Sequence, residues 1–247
     1  MPQPLALITG ANRGLGHATA LALAQRGFHI LVGARDLAKA QSVVDEIRAA
    51  GGQADPIVVD TGDAASIAAA AQEIETRYGR LDVLINNAGV LLDLGEDPTP
   101  RPTATTVDRE TLEYTFNVNL FGVVDLTQRL LPLLKQSEAG RIVNLSSILG
   151  SLTLHADPTS PIYSFKTFAY NASKAALNSF TIHLAHELRD TPIKVNSAHP
   201  GWVKTDMGGP MAMMEIEDGI KTTLELATLP ADGPTGTFTH LGQPLPW

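Results

Sequence analysis

Short apolar runs alternate along this chain with longer stretches in which apolar positions recur every three to four residues. Residues 5–9 (LALIT), 29–34 (HILVGA), 57–60, 81–85 (LDVLI), 140–145 (GRIVNL), 193–197 and 236–240 read as strands. The first of these is apolar throughout, as expected of a parallel strand buried on both faces. Residues 17–26, 37–50, 64–78, 108–134, 169–189 and 217–229 carry helical periodicity. Gly51-Gly52 and Gly79 close two of these helices, where a left-handed end position favours glycine. The alternation predicts an α/β fold, a doubly wound parallel sheet whose ligand sits at the C-terminal ends of the strands. No repeat or linker splits the chain, so residues 1–247 read as a single domain.

Departures from the pattern mark the places to look for chemistry. In the 108–134 helix, Leu112, Phe116, Leu120, Val123, Leu130 and Leu134 form one stripe, interrupted by Asn117 and Asn119. Asn119 falls on the buried side and must find partners. A kink or a structural water is expected there, and a capped or solvated Asn is the plainer alternative. Residues 90–106 form a long Pro-, Asp- and Thr-rich connection, either functional or mobile. Residues 148–168 read as irregular. In the next helix Tyr170, Lys174, Leu177, Thr181 and Leu188 look inward. The opposite face, Ala172, Ala175, Ala176, Ser179, Ile182 and His183, is mostly small. It suits a subunit contact, or simply reflects helix propensity. Met207, Met211, Met213 and Met214 surround Gly208-Gly209-Pro210, as an adaptable substrate cover or a short packing helix.

Composition narrows the options. A hydrophobic content of 44 % is ample for a core. The net charge is −8, without a cationic cluster, which argues against nucleic acid or an anionic membrane as partner. There is no cysteine, so disulfides, thiolate catalysis and Cys-ligated metal are excluded. That fits a reducing, cytoplasmic setting. Neither a basic-then-apolar leader nor an apolar run of about 18 residues is read, and no metal site is expected.

Gly10-Ala11-Asn12-Arg13-Gly14-Leu15-Gly16 joins the first strand to the first helix. Strand, glycine turn and helix make a phosphate cradle, since a helix N-terminus offers free N–H groups and the positive end of its dipole. A tight β–α turn without a ligand is the alternative. The second strand ends at Arg35, where an NAD site would want an acid and a 2′-phosphate wants Arg. With Arg13 in the loop, two guanidiniums near one phosphate favour NADP over NAD. Asn86-Asn87-Ala88-Gly89 ends the fourth strand, as a turn or as amides that order a ribose. Tyr170 and Lys174 stand at i and i+4 and share one helix face. A free phenol has a pKa of about 10. A nearby ammonium could supply part of the lowering toward neutrality, and an oxidised nicotinamide more, and so make an acid/base of it.

Together Thr9-Gly10-x3-Gly14-x-Gly16, Asn86-Asn87-Ala88-Gly89, Asn119, Ser147, Tyr170-x3-Lys174 and Pro200-Gly201 resemble the short-chain dehydrogenase/reductase family, over nearly the whole chain. The resemblance implies a Rossmann-type fold of about seven strands with helices on both faces. It also implies reversible hydride transfer between NADP(H) and a small carbonyl or alcohol, with NAD the weaker candidate. The tetrad it implies is Asn119, Ser147, Tyr170 and Lys174, with Ser146 as the fallback serine. Cofactor contacts carried over by similarity are Gly10, Asn12, Arg13, Gly14, Leu15, Gly16, Arg35, Asp60, Thr61, Asn86, Ala88, Gly89, Tyr170, Lys174, Pro200, Gly201, Val203 and Thr205. A Ser147–Tyr170 interval about ten residues longer than the common pattern, with the ending at 233–238, resembles the carbonyl-reductase branch. A homodimer or tetramer is expected, with a monomer as the alternative, because in some members of that branch the insert blocks helix–helix assembly. A non-catalytic NADP(H)-binding regulator of the same fold is the competing reading, although such proteins usually lose the Tyr/Lys pair.

Overall fold

The computed structural model describes residues 3–94 and 102–247. The middle of the 90–106 connection, residues 95–101, therefore lies outside the described residues. Eight strands form one sheet in the order β3-β2-β1-β4-β5-β6-β7-β8. They are β1 Leu5–Thr9, β2 His29–Ala34, β3 Gln53–Val58, β4 Val83–Asn86, β5 Arg141–Leu145, β6 Lys194–Ala198, β7 Phe238–His240 and β8 Gln243–Pro244. All neighbours are parallel except β7 and β8. The helices are α1 Gly14–Gln25, α2 Leu37–Ala49, α3 Ala64–Tyr78, α4 Arg109–Phe116, α5 Gly122–Leu134, α6 Leu152–Ala156, α7 Phe168–Glu187, α8 Ile216–Gly219 and α9 Lys221–Ala227.

Strand side chains alternate between two cores. Ala6, Ile8, Ile30, Val32, Val83 and Ile85 pack with Leu23 of α1, Val43 and Ile47 of α2, and Leu224 of α9. Leu7, Leu31, Leu84, Ile142 and Val195 pack with Ile67 and Ile74 of α3, Leu126 and Leu130 of α5, and Leu184 of α7. Being covered on both sides explains why β1 and β2 carry apolar residues at most positions of both faces. The order reverses at β1 and β4, and the crevice opens there, at their C-terminal ends.

The sheet agrees with the expected number of about seven strands, with the two-residue β8 closing a tight hairpin on β7. Three expectations are corrected. The third strand is Gln53–Val58, not 57–60; it pairs with all of β2 as an edge strand, and Gln53, Asp55 and Pro56 leave it without an apolar run. The 148–168 stretch is partly helical, with a 3₁₀ turn Ile148–Gly150 and the short α6. The last helix is divided at Ile220 into α8 and α9. The interruption at Asn119 is a π-helical segment, Asn117–Phe121, between α4 and α5. Such segments relieve a locally unsatisfied ladder and recur at functional sites. On α7 the inward residues Tyr170, Lys174, Leu177, Thr181 and Leu188 are all buried; Ser179, Ile182 and His183 face outward. Among the described residues, no helix is long and apolar enough to cross a membrane.

Arg141 shows how the far end of the sheet is held. It is 3 % exposed and donates to the carbonyls of Gly140, Pro192, Leu229 and Pro230 at 2.6–3.3 Å. Burial holds this guanidinium below its usual pKa. Replacing it by Leu strands those carbonyls, and a loss of about 3 kcal/mol is expected. That corresponds to a fall in Tm of about 6–12 °C, readable by thermal denaturation. A change within about 2 °C would mean that solvent satisfies the carbonyls instead.

Candidate active site

A cavity of about 710 Å³ lies over the crevice, within the range of small-molecule and cofactor sites. Its floor is the β1–α1 loop. The N-terminal residue Arg13 makes no side-chain cap on α1, so the first amides of the helix remain available to an anion. Gly16 is where the loop must close tightly: a Cβ there would stand 2.4 Å from the Gly10 carbonyl oxygen and 2.5 Å from Asn87 Nδ2. Asn87 clasps the loop from β4, donating to the Thr9 carbonyl at 2.7 Å and the Gly10 carbonyl at 3.2 Å. The glycine loop, the open helix end and the crevice together fit a dinucleotide pyrophosphate.

Gly10, Asn12, Arg13, Gly14, Leu15, Gly16, Arg35, Asp60, Thr61, Ala88, Gly89, Tyr170, Lys174, Pro200 and Thr205 all line this cavity. Three of the expected contacts do not. Asn86 points into the core, donating to Asn144 Oδ1 at 2.8 Å and Thr127 Oγ1 at 3.2 Å; the two-residue period of a strand turns Asn87 to the cavity instead. Gly201 packs under Met214, whose Sδ would be 2.1 Å from a Cβ. Val203 is buried against Gly219. Tyr114, Val118, Lys204 and Asp206 also line the cavity, and no motif in the sequence distinguishes them; Met207, of the methionine group around Gly208-Gly209-Pro210, lines it too. Arg13 is not a free guanidinium: it pairs with Asp206 at 2.7 Å across the mouth. Arg35 stands at the end of β2 among the cavity-lining residues.

At the inner end, α7 presents Tyr170 and Lys174 one turn apart. Lys174 Nζ donates to the Leu145 carbonyl at 2.7 Å and lies 5.6 Å from the Tyr170 ring centroid. Ser147, at the end of β5, accepts from the Leu149 amide at 3.2 Å and hydrogen-bonds the Tyr170 hydroxyl. Ser146 lines the cavity, with a buried hydroxyl that has no protein partner. Asn119 is 0 % exposed and not part of the lining. Its amide accepts from Val90 N at 2.8 Å and donates to the Val90 carbonyl at 2.9 Å and Ser173 Oγ at 3.0 Å. The expected water is therefore not what satisfies its side chain; the chain itself does.

Burial pushes the Tyr170 phenol up to about 12, with the Ser147 hydrogen bond acting against it and the negative charge of Asp93 acting with it. Burial pushes Lys174 down to about 8. In the protein alone, desolvation disfavours the phenolate more than the Ser147 hydrogen bond favours it. At neutral pH the phenol is a proton donor. His199, pushed down to about 3 by burial and by His240, is neutral there. Among the described residues no His, Asp and Glu cluster could hold a metal.

The segment after Pro200 is a stapled loop rather than a helix. Val203 and Met214 form a bridge, Trp202 Nε1 donates to the Gly208 carbonyl at 2.8 Å, and Lys204 pairs with Glu215. Met207 lines the cavity, while Met211 and Met213 are exposed.

The family profile described as short chain dehydrogenase matches residues 4–215. The chain is 40 % identical over 233 residues to the short-chain dehydrogenase anuI of Penicillium roqueforti, covering 92 % of this chain and 89 % of that one. It is 31 % identical to carbonyl reductase [NADPH] 1 of Mus musculus, with 99 % of each covered. The crystal structure of NADPH-bound carbonyl reductase from chicken fatty liver superposes with a TM-score of 0.84 at 27 % identity, with 100 % of both chains covered. With the glycine loop at the sheet's switch point and Tyr170 and Lys174 at the inner end of the same cavity, the chain belongs to the short-chain dehydrogenase family of oxidoreductases.

Proposed function

We propose that this protein is an NADPH-dependent reductase of ketones, aldehydes or related carbonyls, with Tyr170 as its acid/base. The observation that carries the reading is the joining of Tyr170 and Lys174 at one end of a cavity whose other end is the glycine loop, with Ser147, itself outside the lining, against the Tyr170 hydroxyl. The bound nicotinamide supplies the hydride. The chain's own residues do the rest. Ser147 holds the substrate oxygen beside the phenol and stabilises charge developing there. Tyr170, protonated at neutral pH, gives its proton to that oxygen. Lys174, pushed down to about 8 by burial, returns a proton to the phenol and regains one from solvent through the cavity it lines. Asn119 keeps the 90s segment and α7 in register through Val90 and Ser173.

Selection of NADPH rests on Arg35, with Arg13 joining once it leaves Asp206. The pair is exposed, so its hold is worth at most about 1 kcal/mol and yields to a phosphate. Arg35→Asp is expected to raise the KM for NADPH by about tenfold or more and to leave that for NADH nearly unchanged. Equal use of the two cofactors by the parent protein would count against the arginine argument. The functional reading itself is tested by absorbance of the reduced nicotinamide with a panel of ketones, aldehydes and quinones. NADPH oxidation that depends on one of these is the expected result. NADPH binding without turnover on any of them would favour the regulator.

A further inference from the structure

We propose that Asp93 is a positioning residue of this active site: its buried carboxylate anchors the first turn of α7 through the amide next to Tyr170 and sets the electrostatic environment of that side chain. The proposal rests on Tyr170 being the acid/base.

Asp93 lies in the segment leaving β4 and is 0 % exposed. Its Oδ2 accepts from the Ala169 amide at 2.7 Å. A helix usually receives that bond from its own N-cap side chain. Here the N-cap, Thr167, makes no such bond, because its hydroxyl donates to Asn171 Oδ1 at 2.8 Å. Asp93 therefore caps the helix from a different part of the chain. Its second oxygen, Oδ1, is buried with no hydrogen-bond partner among the described residues. Such a group costs stability, offset in part by the positive end of the helix it faces. The oxygen bound to Ala169 stands one residue from Tyr170, and the negative charge acts on the phenol in the same direction as burial does.

Among the described residues, the groups that could counter that charge are few. Lys174 is turned to the Leu145 carbonyl, and Ser147 is neutral. Arg109, Glu110 and Glu113 of α4, which packs on α7, are exposed. The β6 strand carries Lys194 only at its first position, and His199 beyond it stacks on His240 at 4.8 Å.

Carbonyl reduction needs the proton on Tyr170 and alcohol oxidation needs it off. Both rates therefore turn over at the same phenol ionisation. Asp93→Asn keeps an oxygen for the Ala169 amide and removes the charge; Asp93→Ser does the same with a smaller side chain. In each, the alkaline limb of reduction and the rising limb of oxidation should move about one pH unit lower. A purely structural role would lower Tm and leave both limbs where they are. Limbs that coincide with the parent's overturn the proposal. So does failure of both variants to fold, because the carboxylate would then be a structural requirement only. Tyr170→Phe, run alongside, separates the two readings. If that variant is inactive while the Asp93 variants titrate like the parent, only the role of Asp93 falls; if it stays active, the acid/base reading falls as well.

Discussion

Tyr170→Phe is expected to lower kcat by about 10²- to 10⁴-fold, the usual contribution of a positioned general acid, while NADPH affinity stays within about twofold of the parent. The substitution removes one hydroxyl and keeps the ring. The ring is buried in contact distance of Lys174, and the hydroxyl meets Ser147. The glycine loop and the α1 N-terminus at the other end of the cavity do not touch that hydroxyl. Loss should therefore appear in turnover and spare binding, which steady-state kinetics and a cofactor fluorescence titration would separate. Turnover at the parent rate would end the proposed mechanism. The neutral phenol is also the form a reductase needs. Burial, by raising the pKa to about 12, keeps the donor loaded across the physiological range. The same burial makes the reverse reaction depend on added positive charge or alkaline pH.

Gly16→Ala is expected to weaken NADPH binding by about 10- to 100-fold, corresponding to about 1–3 kcal/mol of overpacking. The added methyl would meet the Gly10 carbonyl oxygen at 2.4 Å and the Ala11 Cα at 3.0 Å. Both are backbone, so no side-chain rotation relieves the clash. The loop must open, and the Asn87 clasp on Thr9 and Gly10 opens with it. The helix end then moves away from the phosphate position, where strength depends on the fit of several N–H groups at once. A fluorescence titration measures the change. Affinity within about twofold of the parent would mean that the loop adapts without cost.

Sequence and structure agree best where a physical constraint is local. The strands at 5–9 and 29–34 and the helix at 64–78 match the observed elements, because a parallel strand covered on both faces must be apolar throughout. The glycine loop was legible for a similar reason, since strand, turn and helix follow one another without a gap. Tyr170 and Lys174 were legible because a helix places i and i+4 together whatever else the chain does. The strand at 53–58 was misplaced because an edge strand containing Pro56 pairs on one side only and needs no apolar run. The eighth strand and α6 were missed because elements of two and five residues leave no period to read.

The sequence by itself determined the layered α/β architecture, the glycine cradle and the shared face of Tyr170 and Lys174, all consequences of neighbours within a few residues of one another. Only the tertiary structure decided the rest. It turned Asn86 inward and Asn87 outward, paired Arg13 with Asp206, and packed Gly201 and Val203 beneath the stapled loop. It also buried the phenol, which by itself raises its pKa, and brought Asp93 to the end of a helix 76 residues away. Desolvation and cross-chain hydrogen bonds depend on what surrounds a group in space, and spacing along the chain carries no record of that.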